Sequence, residues 1–191
     1  MPAASPPLPL GTVAPDFALP DVRTGASRRL DDLVGERGTI VFFTCNHCPY
    51  VKHVRAGVAA FAADYVPRGV ALVGIAANDP DRYPDDAPEA LAREADAAGW
   101  RFPILFDASQ AVARAYHAAC TPEFYVFDAG RRLVYHGRID ASRPGGAVPV
   151  TGDELRAAAD AVVAGRAPAH PGHAAIGCGI KWRPGNEPDY R

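Results

Sequence analysis

Thr39-Ile40-Val41-Phe42-Phe43 is an unbroken β-branched and aromatic run, the pattern of a strand covered on both faces in a parallel sheet. Beyond it the period changes. Val51, Val54, Val58, Phe61 and Tyr65 recur at i, i+3, i+7, i+10 and i+14, which is one face of an amphipathic helix. The pattern predicts a strand at 39–44 and a helix at about 47–66 that ends near Gly69. A second apolar run, Val70 to Ala77, completes a βαβ unit whose two strands should be parallel.

The remaining pattern builds outward from that unit. Asp16 to Val22 and Arg28 to Leu33 read as short edge strands or a hairpin. A polar, proline-punctuated loop runs from Asn78 to Asp86, where Asp86 and Glu89 resemble a helix-start box before Ala90 to Ala98, and Gly99 closes the helix. Phe102 to Phe106 is a short apolar run, and Gln110 to Ala119 reads as a helix with Val112, Ala115 and Tyr116 facing inward. Glu123 to Asp128 and Leu133 to Ile139 flank a glycine turn as a hairpin, so the sheet mixes parallel and antiparallel strands. Thr151 to Glu154 reads as a capping box for a last helix with Leu155, Ala158, Ala159, Val162 and Val163 on its buried stripe, ending at Gly165. The expectation is an α/β fold: a central mixed sheet flanked by helices, with an arm at 1–10, a domain at 11–164 and an irregular tail at 165–191.

Composition narrows the class. With 191 residues, 48% of them hydrophobic, and a net charge of -2, the chain suits one well-cored domain plus extensions. No basic stripe suggests nucleic acid, and no apolar run approaches the length of a membrane span. The proline-rich residues 1–10 show neither the charged nor the apolar part of a secretory signal, so the expected location is the cytoplasm. There, four cysteines are not a disulfide framework.

The chemistry gathers at Cys45-Asn46-His47-Cys48, where the buried strand gives way to the helix. Unpaired N–H groups and the partial positive charge of a helix N-terminus stabilise a thiolate. Cys45 is therefore the expected nucleophile and Cys48, one turn on, the expected resolving thiol. A protonated His47 between them would favour the thiolate and make the disulfide more oxidising. The pair is also half of a zinc knuckle, but Cys120 and Cys178 are each solitary, whereas a structural zinc site usually needs a second close pair. No cofactor is expected beyond the redox-active pair.

Three strings carry a resemblance: Phe43-Thr44-Cys45-Asn46-His47-Cys48-Pro49-Tyr50-Val51, Cys120-Thr121-Pro122-Glu123-Phe124 and Gly177-Cys178-Gly179-Ile180-Lys181-Trp182. With the strand-CxxC-helix order, they resemble the thioredoxin superfamily, in its peroxiredoxin-like and TlpA-like branch of AhpC/TSA-redoxin type, over residues 11–164. The resemblance implies that Pro122 is cis and faces the CxxC, that Thr121 offers backbone hydrogen bonds to a substrate strand, and that Glu123 moves protons near the thiols. It also implies thiol-disulfide oxidoreductase activity, with protein or low-molecular-weight disulfides as substrates and a thiol as reductant. Three positions depart from the pattern. Thr44 stands where thioredoxins place an aromatic, and Thr39 stands where they carry a buried acid. Neither Cys45 nor Cys48 has the proline and hydroxyl residue that peroxiredoxins place seven and three positions earlier.

That last departure puts peroxidase activity second, and a metal-binding or adaptor module on the same fold is the non-enzymatic alternative. Cys120, two residues before Pro122, is expected near the pair, either as a third thiol or as a buried apolar residue. Cys178, between glycines, is expected on a flexible tail, where a mobile redox thiol and a solvated residue are both open readings.

Overall fold

Strand β4 (Gly38–Thr44) forms the centre of the molecule because both of its faces are apolar, and all seven of its residues are buried. Ile40 and Phe42 point into one core, and Val41 and Phe43 into the other. The computed structural model describes residues 2–3 and 8–190. Around β4 lies a five-stranded sheet in the order β6-β5-β4-β8-β9, formed with β5 (Val70–Ala76), β6 (Ile104–Phe106), β8 (Glu123–Asp128) and β9 (Leu133–Gly137). Strands β4, β5 and β6 are parallel; β8 runs antiparallel to β4 and β9 antiparallel to β8.

On the Ile40 and Phe42 face pack α1 (Pro49–Tyr65) and α4 (Asp153–Val163), whose buried stripes hold Val51, Val54, Val58, Phe61, Tyr65, Leu155, Ala158, Ala159 and Val162 as the periodicity predicts. Phe42 stacks on Phe124 at 5.2 Å and meets Trp100 and Phe102 edge-on at 5.6 and 5.9 Å. Opposite, Val41 and Phe43 share a core with Leu30, Tyr116, Tyr125, Ile180 and Trp182. At the N-terminal side, β2 (Ala18–Pro20) and β3 (Ser27–Arg29) form a small hairpin, and Leu30–Leu33 turns into a 3-10 helix instead of continuing the strand.

Four expectations are corrected. The helix expected over 110–119 is only α3 (Ala111–Ala115), with Ala115 exposed. Gln110 takes a left-handed conformation, and its side chain turns inward to donate to the carbonyls of Ala77 (2.6 Å) and Lys181 (3.0 Å). Asp86 does not start α2 (Pro88–Ala97), whose N-cap is Ala87. The Thr151 box does not form either. Gly152 is the N-cap of α4, and the Asp140 carboxylate accepts from the N–H groups of Thr151 and Gly152 at 2.8 and 2.7 Å, while Glu154 turns to a forked ion pair with Arg138.

The fourth correction is the tail. The chain past Gly165 returns along the domain: His136 N–H donates to Pro171 O and Arg138 N–H to His173 O. Residues Gly177–Gly179 then form β10, the middle of a second sheet between β1 (Pro2–Ala3) and β7 (Cys120–Thr121), antiparallel to both. Trp182 is buried in the second core at 5% exposure. Periodicity could not reveal this segment, because it is held by backbone pairing and two large side chains instead of by an amphipathic face. Among the described residues no helix is long and apolar enough to cross a membrane.

Phe42→Ala, which leaves a hole at the crossing of four aromatic rings, is expected to cost about 3–5 kcal/mol, read as a lower urea midpoint at unchanged slope. A loss below about 1 kcal/mol would show that the core collapses to fill the space.

Candidate active site

The two CxxC cysteines occupy unlike backbone positions. Cys45 follows the last residue of β4, whereas Cys48 is the N-cap of α1, extended at φ -71° and ψ 123°, with Pro49 as the first helical residue. Proline suits that position because its missing N–H would find no helical partner. The helix thus begins two residues later than the apolar period predicts, which places Cys48, instead of Cys45, over the open N–H groups and the positive end of the dipole.

The electrostatics follow. The Cys48 thiol falls from an ordinary 9.0 to about 4, first because the Cys45 S–H donates to it; burial opposes this, and the Cys178 thiol and the N–H groups of Val51 and Cys178 add to it. Cys45 moves the other way. Its proton is held by the hydrogen bond to Cys48, burial disfavours its charged form, and the Asp86 carboxylate repels a second negative charge. One contact resists the anion on Cys48: its Sγ lies 3.2 Å from the Thr121 carbonyl, to which a neutral thiol would donate. The S–H and N–H donors converging on Cys48 outweigh that single acceptor. Both sulfurs are closed to solvent, with Cys45 2% and Cys48 0% exposed.

The buried acid sought at positions 39 and 123 comes instead from the loop before α2. Asp86 is fully buried and accepts from Asn46 N–H at 2.6 Å and from Asn78 Nδ2 at 2.8 Å, and it meets His47 Nδ1 at 2.5 Å. His47 also stacks on Tyr83 at 5.1 Å. The imidazole expected to act on the thiols as a free positive charge is therefore paired with a carboxylate. Asp86 was legible only as a helix-start residue paired with Glu89, since nothing in its spacing ties it to the CxxC. Cys45, His47 and Asp86 each offer one ligand atom within 4.8 Å of the others. That group could hold a metal ion, with the buried His47 Nε2 free of protein partners.

Across the thiols lies the Thr121-Pro122 loop, whose peptide is cis. Thr121 Oγ1 is 3.2 Å from Cys45 Sγ, so this residue brings a hydroxyl as well as its backbone to the site. Glu123 is buried but turned away from the pair. One carboxylate oxygen accepts from the N–H groups of Ala119 and Cys120 at 3.0 and 3.3 Å, and the other meets His136 Nε2 at 2.8 Å. It braces the cis-proline loop from below, with His136 a partner that sequence spacing did not indicate. Cys120 is buried, and burial followed by the charge of Glu123 pushes its thiol up, the behaviour of an apolar core residue.

Cys178 is neither loose nor remote. It sits opposite Thr121 in the β10–β7 pairing and packs, partly buried, against the core cluster that holds Cys45 and Cys48. Burial, followed by the hydrogen bond with Cys48, pushes its own thiol up to about 12. An apolar cleft of about 480 Å³ between Leu33, Val66, Pro67 and Phe102 has no cysteine in its lining, so the reactive groups do not open into it.

A fold of this kind with a strand-CxxC-helix site and a facing cis-proline defines a thioredoxin-superfamily redox protein. The model of the AhpC/TSA family matches residues 10–136, and the chain belongs to that family, in its peroxiredoxin-like part. An uncharacterized conserved protein from Geobacillus kaustophilus is 46% identical, covering 96% of this chain and 97% of its own at a TM-score of 0.94. A hypothetical protein from Sinorhizobium meliloti 1021 is 45% identical over 95% of this chain and 99% of its own, at a TM-score of 0.92. The fold is shared more distantly by the peroxidoxin BcpB of Mycobacterium tuberculosis, 22% identical over 82% of this chain and 96% of its own, at a TM-score of 0.59.

A thiolate at the helix start has a spectroscopic signature. Because the folded value of Cys48 lies below the ordinary one, its anion is fully favoured above about 9 and lost as pH falls through about 4. Reduced protein is therefore expected to keep its ultraviolet thiolate absorbance at neutral pH and to lose it near pH 4. Cys48→Ser should remove that absorbance; its removal by Cys45→Ser alone, with Cys48→Ser unchanged, would put the anion on Cys45.

Proposed function

We propose that this protein is a thiol-disulfide oxidoreductase in which Cys48 attacks and Cys45 resolves, the reverse of the order expected from the sequence. The observation that carries this reading is the position of Cys48 at the N-cap of α1, with Pro49 opening the helix behind it and Cys45 set back at the end of β4. The Cys48 thiolate attacks one sulfur of a disulfide substrate, forming a mixed disulfide and releasing the other half as a thiolate. Cys45 then gives up its proton to that leaving group and attacks Cys48, which frees the second half as a thiolate and leaves a Cys45–Cys48 disulfide. An external dithiol returns the pair to its reduced form. Asp86 and His47 position the Cys45 turn through Asn46 and the loop, and Thr121 presses on both sulfurs from the opposite side.

A second reading has one observation in its favour. Thr121 Oγ1 beside Cys45 supplies the hydroxyl that neither sequence count could find. A hydroperoxide drawn to that hydroxyl would lose its distal oxygen to Cys48, giving a sulfenic acid and an alcohol or water, and Cys45 would condense with it to form the disulfide and water.

Protein recycled by dithiothreitol is expected to reduce oxidised glutathione at a rate that Cys48→Ser lowers to the uncatalysed background. Cys45→Ser should lose turnover but still react once at Cys48. Full activity in Cys48→Ser would reject this assignment. Consumption of hydroperoxide faster than disulfide under the same recycling would favour the second reading, and stoichiometric zinc in the purified protein with no turnover would favour the metal-binding one.

A further inference from the structure

The backbone of Thr121, expected to offer its hydrogen bonds to an extended substrate, is already occupied by the protein's own chain. Strand β10 pairs antiparallel with β7, with Cys178 opposite Thr121 and Gly179 opposite Cys120. A peptide laid along a cis-proline loop in this way would bring its own cysteine over the attacking thiol, and Cys178 stands in that place, opposite Thr121 and packed against the cluster that holds Cys48.

The strand is fitted and not merely resting there. A Cβ on Gly177 would overlap the Thr121 carbonyl, so the close approach requires glycine. Beyond Cys178, Ile180 N–H donates to Ala119 O, Lys181 N–H to Asn78 Oδ1 at 2.8 Å and Arg183 N–H to Gln110 Oε1 at 2.8 Å. Asn78 also holds Asp86, so one side chain joins the tail to the loop that faces Cys45.

We propose that Cys178 is a third redox thiol, carried on a built-in substrate strand, that exchanges with Cys48 to form a Cys48–Cys178 disulfide. This rests on the reading of Cys48 as the attacking thiol. When the Cys45–Cys48 disulfide has formed at the expense of a substrate disulfide, the Cys178 sulfur attacks Cys48. The Cys48–Cys178 bond forms, the Cys45–Cys48 bond breaks, and Cys45 leaves as a thiolate that takes the proton given up by Cys178. No electrons are gained or lost in that step. Tethering makes the attack intramolecular, so it competes with thiols present at millimolar concentration. Because the strand fills the pairing edge, the oxidant that reaches the pair is a small disulfide or hydroperoxide and not an extended protein segment.

The test uses full-length Cys45→Ser treated with oxidised glutathione, then acid-quenched, alkylated and mapped by mass spectrometry. Cys48 should first take up glutathione, which Cys178 then displaces as free thiol by attacking Cys48, leaving a Cys48–Cys178 bridge, a loss of two hydrogens and no adduct. Adding Gly177→Ala, which lifts the strand from Thr121, should turn that product into a lasting glutathione adduct on Cys48. A lasting adduct in Cys45→Ser alone, with Cys178 alkylated, would overturn the proposal while leaving Cys48 as the attacking thiol. A bridge undiminished by Gly177→Ala would overturn the role of the strand, and no reaction at Cys48 would reject the underlying assignment. Should Cys45→Ser lose its fold by circular dichroism, wild-type protein poised in a glutathione series carries the test: a Cys48–Cys178 bridge in the oxidised fraction supports the proposal, and Cys45–Cys48 alone overturns it.

Discussion

Cys48 carries its sulfur inside an apolar core, and what it can do there depends on the polar groups that reach it, the Thr121 carbonyl at 3.2 Å among them. Burial alone would force the proton back on. Cys48 stands at the N-terminus of α1, Cys45 just past the end of β4, and Cys178 in the tail strand opposite Thr121. Three separate parts of the chain therefore converge on one site. The position of each is set by something apolar and distant: β4 by its two buried faces, α1 by its stripe, and the tail by Ile180 and Trp182.

Contact with Cys48, burial and the Asp86 carboxylate all push the Cys45 thiol toward its protonated form. The same carboxylate ties together Asn46, His47 and Asn78. The loop from Asn78 to Asp86 is thus as much a part of the site as the CxxC. Thr121 and Glu123, adjacent to Pro122 on either side, divide the remaining work: Thr121 touches the sulfurs, and Glu123 fixes the loop that carries Thr121.

The βαβ unit, the hairpin of β8 and β9, the stripes of α1 and α4 and the cis Thr121-Pro122 peptide were all legible in the sequence, because each is a local signal: a period, an apolar run or a motif. What was illegible depends on distant partners. The start of α1 was placed at about 47 from its period, whereas the structure starts it at Pro49 and makes Cys48 its N-cap. Glu123 was expected at the thiols, but as the partner of Phe43 across β4 and β8 it faces the side where His136 lies. Asp86 and the docked tail escaped notice for the same reason, since a polar loop and a glycine-cysteine-glycine triplet acquire meaning only from what they pack against.

The placement of β10 also bears on how the molecule meets other copies of itself. A short strand beside an active site leaves a row of unpaired N–H and C=O groups, and such an edge can template pairing with another chain. Here β7 is covered by β10, and β10 in turn by β1, whose register partner for Cys178 is Pro2. Proline has no N–H to extend the ladder. The second sheet therefore ends in a two-residue strand that includes a proline, and so short an edge is a poor template for adding another chain.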